Sequence, residues 1–222
     1  MKPCFSNATV AWNEFEITRR ESLIREIPVA LLQAWRNLNP AIQMERCETP
    51  ILTPASQLQS HIEEGFELIN AGSRGYLRPE TTAGTYEAFA MRFNAAQFKK
   101  RLPYCMWQVG CSFRDEAKPD TMRASKLRLV QFYQIEFQIF ATEGSKAPYL
   151  ETALSTLCSL YGGHVVTADE LPHYSEKTLD WHIGDLEVAG CSVRKDWPGG
   201  VVFEVAIGLD RLVALQTQEN KL

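Results

Sequence analysis

The stretch SFRDEAKPD (112–120), followed by LRLVQFYQIEFQIF (127–140), decides how we interpret the fold. The run that begins at Tyr104 keeps a period of two as far as Arg114, and a second alternating run follows a polar loop. Two such runs predict a pair of long antiparallel strands joined by a basic loop. The pair would bring together five residues on neighbouring positions of one sheet: Arg114, Glu116, Phe132, Gln134 and Glu136.

Two interpretations of this surface follow from the hairpin alone. In the first, it holds a nucleotide: a guanidinium fork suits a phosphate, an aromatic face suits a base, and carboxylates suit an ammonium group or a metal ion. In the second, it is an ordinary surface hairpin with cross-strand ion pairs. Other parts of the sequence have to decide between them.

Composition limits the class of protein. The 222 residues, of which 45% are hydrophobic, are enough for one large domain with a real core. A net charge of -4 argues against a protein that grips nucleic acid through a broad positive surface. The six cysteines have neither metal-site nor disulfide-framework spacing, and no window has the length of a membrane span. We therefore expect a soluble, cytoplasmic protein with no membrane contact.

The order of predicted elements favours an α+β fold, an antiparallel sheet flanked by helices. Residues 17–37 have the apolar spacing of an amphipathic helix, and Pro28 within it predicts a break or a second start. The paired prolines of IQMERCETPILTP (42–54) suit an extended strand at an edge or interface. Strands and helices are grouped without strict alternation. We expect loop and a short helix at 55–71, helices at 83–102 and 148–161, and strands at 105–114, 127–141, 163–168, 178–194 and 201–205.

Three further stretches carry charged residues in suggestive settings. LRPETTAG (77–84) places Glu80 beside a proline turn that leads into a helix. LEVAGCSVR (186–194) has an acidic strand ahead of a glycine and an arginine, and FEVAIGLDRL (203–212) has a strand glutamate, then a glycine and Arg211 at a helix start.

In this order, these stretches resemble the signature motifs of class II aminoacyl-tRNA synthetases, most closely the glycyl-tRNA synthetase branch. The first motif is matched by VALLQAWRNLNPAIQMERCETPILTP (29–54), the second by SFRDE through QFYQIEF, and the third by FEVAIGLDRL. The resemblance covers about residues 28 to 216. It implies a class II synthetase-like catalytic domain, which we expect to fill residues 1–222 as a single domain with no anticodon-binding domain.

For the nucleotide, the resemblance implies ATP as substrate and two catalytic residues, Arg114 and Arg211. Arg114 would bind the α-phosphate. Phe132 would stack beneath the adenine, and Arg211 would cover its other face. Glu116 would lie near the adenine or the ammonium group of the amino acid, and Arg123 or Arg128 near the γ-phosphate.

For the amino acid, the resemblance implies a pocket lined by Glu80, Gln134, Glu136 and Glu204. Glu187 and Glu204 would form a pair that holds Mg²⁺ or the ammonium group. The chain also departs from the glycyl pattern, because Glu204 is followed by Val205 and Ala206, where the pattern has proline and serine, and Gln138 replaces a second acid. Glycine specificity is therefore open.

Three functions remain on the sequence alone. The first is ATP-dependent activation of a small amino acid as its adenylate, with a tRNA acceptor stem, a carrier protein or a small molecule as the acceptor. The second is a catalytically inactive, synthetase-like regulator or polymerase-accessory protein, and the third is a dimeric structural module. Retention of the charged nucleotide-binding set favours the enzyme. The first motif, Val29 to Pro54, predicts a homodimer, and loop cations Lys118, Arg123 and Lys126 would meet the acceptor stem.

Overall fold

The computed structural model describes residues 4–6, 9–63, 65, 67–93, 97, 99–115 and 127–219. The helices in this part of the chain are α1 (Glu14–Leu38), α2 (Gln59–Glu63), α3 (Thr82–Arg92), α4 (Tyr149–Tyr161) and α5 (Leu209–Glu219). The strands there are β1 (Cys4–Ser6), β2 (Thr9–Ala11), β3 (Gln43–Arg46), β4 (Leu52–Thr53), β5 (Tyr76–Leu77), β6 (Tyr104–Phe113), β7 (Gln131–Ala141), β8 (His164–Thr167), β9 (Ser175–Ile183), β10 (Leu186–Arg194) and β11 (Val201–Gly208).

A seven-stranded sheet in the order β3-β6-β7-β11-β10-β9-β8 organises the described residues. All neighbouring strands pair antiparallel except the edge strand β3, which runs parallel to β6. The expected hairpin is confirmed, since β6 and β7 pair along their whole length, from Tyr104 opposite Phe140 to Phe113 opposite Gln131. The α+β class is confirmed as well.

The strand expected over 178–194 is in fact two strands. β9 and β10 are separated by a tight turn in which Gly184 has a φ of 57°, a left-handed conformation that suits glycine. The alternating pattern continues on both sides of the turn, so the sequence looked like one long strand. The split matters because it brings residues 175–183 beside residues 186–194 on the same sheet.

Helix α1 is continuous, so the break expected at Pro28 is wrong. Asn13 and Glu16 form a capping box at its start, in which each side chain bonds the other's backbone N–H. Pro28 removes one backbone bond, but the helix is held on both sides of it by Ile27 and Leu31, which are fully buried. Burial of this face offsets the lost bond.

Helix α3 is shorter than expected. It starts at Thr82 and ends at Arg92, and Phe93 is already extended with φ -129° and ψ 125°. The helix predicted over 83–102 is therefore interrupted at Phe93.

The two faces of the sheet have different partners. On one face α1, α4 and α5 cover an apolar core that includes Trp35, Phe137, Leu154 and Val213. On the other face α3 covers only one end, where Phe89 stacks on Phe140 with ring centroids 3.9 Å apart. The rest of that second face is open and carries the candidate site. Within the described ranges, no helix has the length and apolar character needed to cross a membrane.

Candidate functional site

A cavity of about 470 Å³ lies on the open face of the sheet. Its floor is formed by side chains of β7, β9, β10 and β11, and its walls by the segment before α3, the chain around Arg128 and the start of α5. Of the predicted site residues that the structure describes, all line this one cavity: Glu80, Arg114, Arg128, Phe132, Gln134, Glu136, Glu187, Glu204 and Arg211. Glu116 and Arg123 lie outside the described residues, as do Lys118 and Lys126 of the same loop.

Three buried carboxylates form one end of the cavity. Glu136 and Glu204 stand on the adjacent strands β7 and β11, and Glu80 reaches them from the turn before α3. The first residues of α3 hold them: Thr81 donates its backbone N–H (2.9 Å) and its hydroxyl to Glu136, and Thr82 donates its hydroxyl to Glu204 (2.5 Å). The acids are therefore fixed in position before any ligand arrives.

Arg194 balances part of this negative charge. Its Nη1 lies 3.1 Å from Glu80 Oε1 and 3.0 Å from Glu204 Oε1, and its Nη2 lies 2.7 Å from Asp196 Oδ2. The Tyr174 ring covers the guanidinium at 3.8 Å from Cζ. With a side chain that is 1% exposed, Arg194 holds the acids in place and leaves them facing the cavity.

The three acids have different affinities for a proton. Burial, together with the charges of Glu204 and Glu80, raises the pKa of Glu136 to about 8. Although burial alone would raise it, the pKa of Glu80 is held well below its usual range by Arg194, with help from His61 and Arg114. Burial also raises the pKa of Glu204, against the opposing effect of Arg194. At neutral pH Glu80 is therefore ionised, whereas most of Glu136 is protonated.

Gln138 links two of the acids from below. Its Nε2 lies 3.4 Å from Glu136 Oε2 and 3.3 Å from Glu204 Oε2, and the residue is fully buried. An acid at this position would be one more buried carboxylate beside Glu136 and Glu204, whereas the amide donates to both. The substitution noted in the sequence thus lowers the negative charge of the cluster.

The rest of the cavity wall carries arginines and an aromatic ring, and Arg114 reaches to within 4.0 Å of Glu80. Arg114 donates through Nε to the Pro79 carbonyl (3.0 Å), and its guanidinium lies 5.7 Å from the centre of the Phe132 ring. Arg211, at the start of α5, donates to the Glu187 carbonyl (2.8 Å) and lies 3.4 Å from the carboxylate of the same residue. Arg128 also lines this part of the cavity. Cationic groups around an aromatic face suit a nucleotide.

The expected pairing of Glu187 with Glu204 is not found. The register places Glu204 opposite Ser192, five residues along β10 from Glu187, and the two glutamates contact different arginines. The acidic neighbour of Glu187 is Asp180 on β9, whose pKa is raised to about 6 by burial and by the charge of Glu187. Among the described residues, no cluster of three or more candidate metal ligands exists.

Sequence reasoning missed several residues of this site. The sequence assigns no role to Arg194, although it ends the motif LEVAGCSVR, and none to Asp180, Tyr174 or His61. His61 is buried, with Nε2 3.6 Å from Glu80 Oε1. The alternation of apolar and polar residues along β9 is a usable signal for Asp180. No local sequence pattern predicts that Tyr174 contacts Arg194 or that His61 contacts Glu80.

The sequence is similar to glycine–tRNA ligases. It is 29% identical to the glycine–tRNA ligase of Deinococcus radiodurans over 143 aligned residues. The aligned region covers 58% of this chain and 27% of the relative. With that of Archaeoglobus fulgidus it shares 34% identity over 111 residues, covering 49% of this chain and 17% of the relative. The chain thus spans about a quarter or less of the length of these curated relatives. No family model matches it.

The fold is similar to that of solved class II synthetases. A prolyl-tRNA synthetase from Giardia lamblia, in complex with prolyl-adenylate, superposes with a TM-score of 0.67 at 15% identity, over 94% of this chain and 47% of that one. At 15% sequence identity, this similarity is evidence for the fold alone. The fold is the one that the sequence motifs predict.

Proposed function

Since the chain folds as the catalytic core of class II aminoacyl-tRNA synthetases, we propose that it activates a small amino acid with ATP to form an aminoacyl-adenylate. The observation that carries the proposal is the joining, in one cavity, of a fixed acidic end and an arginine-rich end. The first suits the ammonium group of an amino acid, and the second suits the phosphates and base of a nucleotide.

The acidic end would bind the amino acid through its ammonium group. Glu80 is ionised and Glu204 lies next to it across Arg194, so a cation that enters the cavity meets acceptors already in position. Glu136 would be a third acceptor, and Gln134 lies two residues before it on the same strand, with its amide bonded to Ser112. With its ammonium group held at this end, the amino acid would turn its carboxylate towards Arg114, which is 4.0 Å from Glu80.

The reaction would then be an in-line displacement at the α-phosphorus of ATP. A carboxylate oxygen of the amino acid forms a bond to phosphorus, the bond to the bridging oxygen breaks, and pyrophosphate leaves with that electron pair. Arg114 would stabilise the charge that grows on the α-phosphoryl oxygens. Phe132 would support the adenine with Arg211 on its other face, and Arg128 would meet the terminal phosphates.

A magnesium ion fits Asp180 and Glu187 better than the pair expected from sequence. Asp180 and Glu187 stand on the adjacent strands β9 and β10. Burial, and after it the charge of Glu187, raises the pKa of Asp180 to about 6, and a divalent cation would relieve the repulsion between the two carboxylates. When bound, the ion would neutralise phosphate charge. The carboxylate of Glu204 already has Arg194 as its counter-charge and Thr82 as a hydrogen-bond donor.

Two partners complete the proposal. The exposed apolar side chains of the first motif, such as Val29 (70% exposed) and Ile51 (47% exposed), support a homodimer formed through residues 29–54. The relatives are named glycine–tRNA ligases, and this name suggests that a tRNA acceptor stem receives the activated amino acid. Glycine, the relatives' substrate by name, and other small amino acids are the candidates for activation.

Amino-acid-dependent exchange of pyrophosphate into ATP tests the proposal without assuming an acceptor. We expect exchange with at least one small amino acid, and a loss of about a hundredfold in rate for Arg114→Ala, because one charge-assisted contact in the transition state disappears. Arg74→Ala is the matched control, since Arg74 is exposed and does not line the cavity. Absence of exchange with every small amino acid, in a folded protein, would contradict the proposal.

A further inference from the structure

A strip of small residues runs beside the acidic end of the cavity. The antiparallel registers of β9, β10, β11 and β7 align the cavity-facing residues in rows across the sheet. The first row is Thr178, Ser192, Glu204 and Gln138, and the second is Asp180, Gly190, Ala206 and Glu136. In the second row, two residues with almost no side chain therefore separate Asp180 from Glu136.

Gly190 leaves open space above the sheet. A Cβ atom built on Gly190 would have one neighbour within 4 Å among the described residues, Asp180 Oδ1 at 3.6 Å, which is an ordinary contact. Its backbone is not in the left-handed region. The fold itself thus does not require glycine here, in contrast to Gly110, where a Cβ would lie 1.9 Å from Arg78 Nη2. The space above Gly190 is available to a ligand.

The strip ends at Asp180 on β9, and the neighbouring row carries two hydroxyl groups beside it. The hydroxyls of Thr178 and Ser192 lie 3.0 Å apart, and both residues are buried. Pro172 and Tyr174, from the connection between β8 and β9, also line the cavity. These groups limit how far a side chain could extend from the acidic end.

We infer that this strip, Gly190 with Ala206, receives the side chain of the amino acid, so that the substrate carries a short side chain of the size found in alanine or serine. The inference rests on the proposed function. The ammonium group would be held by Glu80 and Glu204, with Glu136 as the third acceptor. Ser192 lies one strand away from Glu204, and Ala206 lies one strand away from Glu136, about 4.8 Å across the sheet in each case. With the carboxylate turned towards Arg114, the Cα substituent lies over Ala206 and Gly190. Glycine would leave this space empty, and longer side chains would meet the wall at Tyr174.

Binding of non-reactive aminoacyl-sulfamoyl adenosines, measured by calorimetry, tests this inference without requiring catalysis. The probes carry glycine, alanine, serine or valine. For wild type we expect the alanine and serine probes to bind at least tenfold more tightly than the glycine probe, since one methyl in a fitted pocket discriminates by about 10-fold or more. The valine probe should bind more weakly than the alanine probe.

Gly190→Ala fills the strip and is the decisive variant. Because its Cβ has room in the free protein, the variant should unfold at the wild-type temperature, and the ratio of alanine to glycine affinity should fall by at least tenfold. Arg74→Ala should keep the wild-type ratio.

The outcomes separate the inference from the proposed function. If wild type prefers the glycine probe, or Gly190→Ala weakens all probes equally, the inference is overturned and adenylate binding stands. If wild type binds none of the four probes, the proposed function fails and the inference fails with it.

Discussion

Strand β7 shows two regions of the molecule side by side. Its residues Ile135, Phe137 and Ile139 face the helices and are fully buried in the apolar core. Its residues Gln134, Glu136 and Gln138 alternate with them, face the cavity side and are also almost fully buried. Burial is therefore the same on both faces, whereas the chemistry is opposite.

The difference teaches what each face contributes. Apolar burial on the helix face stabilises the fold through the hydrophobic effect. On the cavity face, burial of acids costs free energy, and that cost is offset only by specific partners such as Arg194, Thr81 and Thr82. The sheet thus gains its stability from one face and spends part of it on the other.

The largest effect should come from the core face. Phe137→Ala removes a fully buried ring that packs against Trp35 (centroids 5.6 Å apart) and Trp107 (5.8 Å), and we expect a loss of about 4 kcal/mol in the free energy of unfolding. Urea denaturation measures it. A loss below about 1 kcal/mol would contradict the claim that apolar burial on the helix face stabilises the sheet.

The next effect should come from the central cation of the cavity face. Arg194→Leu leaves Glu80 and Glu204 buried without their partner, so we expect a loss of about 3 kcal/mol at pH 7. The loss should shrink at pH 4, where the two orphaned acids can take up protons. If the loss is equal at both pH values, the missing ion pair is not its cause.

A smaller effect should be the pH dependence of stability that Glu136 gives to the cavity face. The pKa of Glu136 is about 8 in the folded protein and about 4.5 in the unfolded chain, so the folded state binds the extra proton between these values. Stability from this group is full below pH 4.5 and is lost as the pH rises to about 8. Between pH 6 and 8, we expect wild type to lose about 1 to 2 kcal/mol.

Glu136→Gln is the variant that sharpens this pH comparison. It should flatten the slope between pH 6 and 8, because Gln does not titrate. Asp180 and Asp210 have pKa values of about 6, so most of their contribution is already lost below this window. Denaturation at each pH measures the free energy of unfolding of wild type and variant. If this free energy falls with pH equally in both proteins, another group is responsible for the pH dependence.

The smallest effect should come from a half-exposed ion pair between β9 and α4. Lys177 lies 2.5 Å from Glu151, and both side chains are about half exposed. Lys177→Ala should cost at most about 0.5 kcal/mol in the same denaturation assay, since water screens the pair. A cost as large as that of Arg194→Leu would show that burial does not decide which charges matter.

How much could be predicted from the sequence depends on whether the signal was local. The period of two in 104–114 and 127–141 predicted the central hairpin, although β7 begins only at Gln131. The spacing around Leu23 and Leu31 predicted α1, because such a pattern reports on neighbours within one element. The nine predicted site residues in the described ranges all line one cavity, and their roles stay predictions. Pro28 misled because a local rule about helix breaking was outweighed by burial of the same helix.

The pairing of acids could not be predicted, because it depends on strand register. The register of β10 with β11, which places Glu204 opposite Ser192, separates Glu204 from Glu187. The tight turn at Gly184 and an irregularity between Glu187 and Ala189 set the position of Asp180 relative to Glu187. Arg194 was equally hidden, since its partners Glu80 and Glu204 are brought to it by other elements of the fold. Such contacts follow from the tertiary structure and leave no periodic trace in the chain.

The parallel edge strand β3 has a consequence for the order in which the molecule folds. Unlike the hairpins, β3 can pair with β6 only after a long crossover between Arg46 and Tyr104 has closed, which is slow because distant parts of the chain must meet. The same crossover carries Glu80, Thr81 and Thr82. We expect the central hairpins to form early and this segment to dock late. A nascent chain would thus acquire its core before its ligand pocket, and a local opening of the crossover would abolish binding while the rest of the sheet stayed intact.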